Sequence, residues 1–160
     1  MSEGLATLDA FEARWRKPLA RCAQVIFKVQ KRDTAAGTPV QIADAFVVEH
    51  GFTPIGFDWE LLDADAAPGE ARSALGAFRD ALALDLMMRD TWLGDEQALD
   101  CGREFVGAFN PSQRLLLTNH IIRDAGTSEG WNPISKAAYE WAFLGLDDSK
   151  IALLLITAED

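Results

Sequence analysis

The sequence predicts an all-α fold, a single-domain bundle of about six to seven helices. Two observations carry that expectation. Apolar residues recur at helical spacing, as in Leu75, Phe78, Leu82 and Leu86 and again in Ala98, Cys101, Phe105 and Phe109. A capping residue followed by proline recurs at Thr38-Pro39, Thr53-Pro54, Asn110-Pro111 and Asn132-Pro133. Thr or Asn at an N-cap accepts a first-turn N–H, and proline at the next position gives up no helical hydrogen bond.

Taken in order, the first predicted helix spans 7–31. Leu8, Phe11, Trp15, Leu19, Cys22, Ile26 and Val29 step by three or four, while Arg14, Lys17, Arg21, Gln24, Lys28 and Lys31 keep the same step on another face. Pro18 predicts a kink or break within it. The cap signals and spacing place further helices at 39–50, 69–91, 95–109, 111–125, 133–146 and 148–157, with a short one in 53–63. Leu84, Met87 and Met88 widen the apolar stripe of 69–91, which marks it as the central element. Gly51, Gly94, Gly126 and Gly145 follow periodic stretches where a left-handed residue ends a helix. The alternative is α+β. Val25, Phe27 and Val29 alternate in part with Lys28 and Gln30, and 150–157 is a short apolar run, so 24–31 and 150–157 could be strands that pair with each other.

Composition bounds the function. The 160 residues carry 15 Lys and Arg against 25 Asp and Glu, a formal charge of −10, and 49% are hydrophobic. That balance predicts a soluble globular domain with no membrane span, and a field that repels nucleic acid and anionic membranes. The charge is uneven: residues 1–32 hold seven basic and three acidic groups, net +4, which leaves −14 for 33–160. The basic face of the first segment reads as a solvated surface attracted to the acidic body, ahead of a surface for an anionic partner. Cys22 and Cys101 fall on apolar stripes and are expected to be buried thiols. The opening Met1-Ser2-Glu3-Gly4 is not a basic region leading into an apolar one, so the expected location is cytoplasmic.

Catalytic signatures are absent: no glycine-rich phosphate loop, nucleophile elbow or HExxH. Two histidines and two cysteines leave no closed zinc site, and no cofactor or metal is expected. Asp63 and Asp65 resemble the opening of a calcium loop, but Pro68 stands where its glycine would be. Two clusters remain. Asp58, Trp59, Glu60, Asp63 and Asp65 form an acidic segment with an aromatic anchor, suited to steering and holding a basic protein. His120 lies beside Asn119 and four residues before Asp124, so a carboxylate could orient its imidazole in a pocket that also takes in Tyr139.

The leading expectation is a non-catalytic acidic interaction protein that binds a basic protein partner, inhibition or neutralisation being one form such binding takes. The alternative is a small helical enzyme or ligand-binding protein with its pocket around His120. Small, acidic and tryptophan-bearing, the chain resembles bacterial immunity or inhibitor proteins in composition alone, a likeness that transfers no residues. The apolar stretch within 148–157 is either sheathed by its own fold or shared with a second subunit as a homodimer.

Overall fold

The structure is a computed structural model that describes residues 3–32, 37–122 and 128–159. Its fold is α+β, which corrects the expectation of a helical bundle. The elements run α1 (Glu3–Ala20), β1 (Gln24–Lys31), α2 (Pro39–Glu49), β2 (Glu60–Leu62), α3 (Ala74–Leu82), α4 (Gly94–Gly107), β3 (Leu115–Thr118), β4 (His120–Ile122), β5 (Ser128–Trp131), β6 (Tyr139–Leu146) and β7 (Lys150–Ala158). Five strands form an antiparallel sheet in the order β1-β7-β6-β3-β2, and β4 and β5 form a separate hairpin.

The segments expected as helices at 133–146 and 148–157, and the described part of 111–125, are strands or turns. The reason is burial on both faces. Trp141, Phe143, Ala152, Leu154 and Ile156 pack toward α1, α3 and α4, whereas Ala142, Leu144, Ile151, Leu153 and Leu155 pack toward α2 through Ala43, Phe46 and Val47. A strand covered on both sides has no polar face, so it reads as a continuous apolar run that periodicity cannot distinguish from a buried helix. The stretch considered as a dimer surface, Ile151 to Ile156, is buried within this chain, between β1 and β6.

The first helix stops at Ala20, two residues after Pro18. Arg21 and Cys22 donate their backbone N–H groups to the carbonyls of Pro18 and Leu19, and the turn leads into β1, paired with β7 from Gln24↔Thr157 to Lys31↔Lys150. Val25, Ile26 and Val29 are β-branched and suit a pleated edge better than a helix. The basic stripe is therefore divided between a helix and a strand. Arg14 pairs with Glu104 and Arg16 with Glu12, while the Arg32 guanidinium donates to the Asp147 carbonyl at 2.5 Å. Lys28 and Lys31 stand exposed on the edge strand, where charge discourages pairing with another chain.

Helix α3 covers only Ala74–Leu82 of the expected 69–91, whereas α2 and α4 lie close to the predicted 39–50 and 95–109. Of the four proline signals, only Thr38-Pro39 opens an α-helix, with a capping box between Thr38 and Gln41. At Asn110 the side-chain oxygen instead accepts from the backbone N–H of Ser112, a turn leading to β3. Thr53-Pro54 precedes a 3₁₀ turn over Gly56–Asp58, and Asn132-Pro133 precedes a turn into β6. Gly51, at φ +87°, ends α2, but Gly94 opens α4 and Gly145 lies inside β6, where a Cβ would stand 2.4 Å from Cε2 of Phe109. Gly126 lies outside the described residues. Cys101 is buried and Cys22 half-buried, both as free thiols; burial pushes the Cys101 thiol well above its ordinary range. Among the described residues, no helix is long and apolar enough to cross a membrane.

Candidate functional site

In the acidic segment Asp58, Asp63 and Asp65 are exposed, whereas Trp59 is not. Trp59 is buried, its indole N–H donating to Asp44 Oδ1 at 2.8 Å, and Asp44 also accepts the backbone N–H groups of Ile55 and Gly56. Glu60 pairs with Arg72 at 2.7 Å and Asp65 with Arg114 at 2.7 Å. Asp63 accepts from the backbone of Asp65, which holds the turn. The exposed aromatic of this region is Phe57, 97% accessible at the tip of the 3₁₀ turn and followed by exposed Asp58. An aromatic two positions earlier than the one the sequence favoured thus faces solvent, because the indole N–H of Trp59 finds its acceptor inside.

The His120 region is drawn together. Strand β3 ends at Thr118, and Asn119 marks the departure of the chain into the β4–β5 hairpin. The Asn119 side chain continues the sheet in place of backbone: Oδ1 accepts the Ala142 N–H at 2.8 Å, and Nδ2 donates to Glu140 Oε2 at 2.8 Å and to the Asn132 carbonyl at 3.2 Å. Asn119 is fully buried and serves the frame of the site. Asp124, the carboxylate expected to orient His120, lies outside the described residues.

His120 is oriented by other groups. Its Nε2 lies 2.7 Å from the Glu140 carbonyl and its Nδ1 2.6 Å from Ser128 Oγ. A carbonyl only accepts, so Nε2 carries the proton, and Nδ1 accepts from the serine hydroxyl. Burial lowers the His120 pKa to about 4, against the smaller upward pull of the Glu140 carbonyl, and keeps the ring neutral near pH 7. The ring stacks on Trp141, with centroids 3.5 Å apart and planes 9° apart, and on Trp131 at 5.5 Å. Tyr139 follows Trp131 at 6.2 Å.

Glu140 underlies this pile. It is 1% exposed and accepts four hydrogen bonds, from Asn119 Nδ2, the backbone N–H groups of Ile134 and Ser135, and Ser135 Oγ. Buried carboxylates require paired charge or several donors, and four donors here replace a cation.

Above the rings lies a pocket of about 360 Å³. His120, Ser128, Trp131, Tyr139 and Trp141 line its hairpin and β6 side, and Asp80, Leu86 and Arg89 its other wall. Asp80 sits in the last turn of α3, and burial raises its pKa, opposed by Arg79 and Arg89 and reinforced by Asp95. Arg89 has φ +60° in a loop that Asp85 holds closed, its carboxylate accepting the backbone N–H groups of Met87, Met88 and Asp90. Those bonds hold the Asp85 carboxyl below its usual range. Among the described residues, neither the Asp80 carboxylate nor the Arg89 guanidinium has a hydrogen-bond or ion-pair partner.

Of the residues expected to build this site, His120 and Tyr139 line the pocket and Asn119 supports it from behind. Asp80, Arg89, Ser128 and Trp141 were not legible as site residues. They come from three separate elements and a loop, and Trp141 reads in sequence as core. Among the described residues, no group of three or more His, Cys, Asp or Glu could hold a metal ion. No family model, curated protein or solved structure matches the chain.

Proposed function

We propose that this chain binds a small organic molecule in the pocket over His120. The observation that carries the reading is the convergence of two oppositely charged side chains that make no ion-pair contact, Asp80 and Arg89, on an aromatic-walled cavity of about 360 Å³. That volume falls within the range of small-molecule sites, which combine apolar walls with a few placed polar groups. The site is one of binding. Both imidazole nitrogens are engaged, and a ring whose pKa lies near 4 is a poor general base at neutral pH.

A chemically diverse fragment library, read by thermal shift and by tryptophan fluorescence, tests the reading. Trp131 and Trp141 line the pocket, so an occupant alters their emission. Binding that is lost in Tyr139→Ala and Trp131→Ala supports it. A library without hits, or hits indifferent to both substitutions, refutes it.

A second reading, the acidic interaction protein with a basic partner, is favoured by Phe57. A phenylalanine 97% exposed beside Asp58 supplies an apolar anchor next to a negative charge. The same partner captured at low ionic strength by the wild type and by Phe57→Ser with Asp58→Lys would count against it.

A further inference from the structure

We infer that the ligand is a zwitterion of the α-amino-acid type, its ammonium held by Asp80, its carboxylate by Arg89, and its side chain laid against Trp131 and Trp141. The inference rests on the small-molecule reading above and adds the chemical class. Asp80 and Arg89 line the same cavity and attract each other without forming an ion pair, so a molecule in that cavity meets both. Asp80 is half-buried and has already lost part of its hydration, and a cation delivered to it restores the favourable environment of the charged form. Arg89 stands at the exposed rim, and its planar fork matches a carboxylate with two parallel hydrogen bonds.

The competing classes each leave one group unsatisfied. A simple anion satisfies Arg89 and places a like charge near Asp80; a simple cation satisfies Asp80 and faces Arg89. An apolar molecule covers both charges and pairs neither, which is the costliest arrangement. A ligand that carries both charges, on groups joined through one carbon, meets Asp80 and Arg89 together. The pocket lies toward the small end of organic-ligand sites, which favours a free amino acid or close derivative over a peptide. The stacked rings favour a flat or long apolar side chain over a short polar one.

Isothermal titration of the full chain with the common amino acids tests the class. The tightest binder is then compared with the amine that lacks its carboxylate and the acid that lacks its ammonium. The expected result is a loss of tenfold or more for each analogue, and a similar loss for the intact amino acid against Asp80→Asn and Arg89→Gln. Should Asp80→Asn fail to fold, Arg89→Gln, on the exposed rim, decides the matter alone. If fragments bind the pocket but no amino acid does, or if the analogues bind as well as the zwitterion, the class is wrong and the binding reading stands. If neither amino acids nor library compounds bind, both fall.

Discussion

Acidification isolates the energetic role of His120. Its pKa is about 4 in the folded chain, against about 6.5 for an unperturbed imidazole. The unfolded state therefore takes up the proton first, and stability falls as pH drops from about 6.5 toward 4. With those two values the loss between pH 7 and pH 5 is about 2 kcal/mol, and it levels off at about 3 kcal/mol once both states are protonated. The ring is 4% exposed, so solvent screens little of this. Protonation does not break the contact with Ser128, whose oxygen can accept from a protonated Nδ1; the cost is that of holding the charge away from water. Urea unfolding at pH 7, 6 and 5, on the wild type and on His120→Gln, measures it. The variant is less stable at every pH because it disrupts the stack, but its pH slope lacks the histidine contribution. Carboxylates are common to both chains and cancel in the difference. Identical slopes, or a His120 resonance that titrates near 6.5, would refute the argument that burial sets the protonation state of this ring.

Other consequences are equally direct. Glu140→Gln exchanges an acceptor of four hydrogen bonds for an amide whose NH₂ must face donors, and should cost about 1 to 3 kcal/mol by denaturant unfolding. Lys150→Met leaves Asp147 buried without its cation at 2.6 Å and should cost about 3 to 5 kcal/mol by the same assay. Asp147 is held at about 2, first against burial by Lys150 and then by the Asn110 and Ser149 hydrogen bonds, so its share of stability is present above about pH 4 and fades as pH falls toward 2. Gly145→Ala drives a methyl into the Phe109 ring and should cost at least about 1 to 3 kcal/mol, read as a lowered thermal midpoint. Phe57→Ser should leave stability within about 0.5 kcal/mol, since the ring touches almost nothing.

Particular residues show how far the sequence reaches. Helices α2 and α4 were legible because each has one buried face, so Ala43, Phe46 and Val47, and likewise Ala98, Cys101 and Phe105, recur at a helical period. Strand β6 was not, because Trp141 to Leu146 are buried on both sides, and β7 was legible only as the alternative of a strand over 150–157 paired with 24–31. The first segment misled for another reason. Cys22, Ile26 and Val29 continue the step of Leu8, Phe11, Trp15 and Leu19, yet the chain leaves the helix at Ala20, and it is the alternative reading, 24–31 paired with 150–157, that β1 and β7 follow. The proline signals were ambiguous because an Asn or Thr oxygen that accepts from the residue two or three ahead serves a turn as well as a helix.

The same division holds for function. Charge, cysteine content and the absence of catalytic motifs follow from the sequence by itself, as does the notice given to His120 and Tyr139, because those properties depend on which residues are present. Which groups stand together depended on the tertiary structure. Asp80 and Arg89 meet His120 only because the end of α3 and the loop after it lie over the β4–β5 hairpin and β6. Trp59, expected as the aromatic anchor of the acidic segment, is buried because Asp44, on α2, offers an acceptor to its indole N–H. Both outcomes turn on hydrogen bonds and packing between residues distant in the chain, and such contacts leave no local period to read.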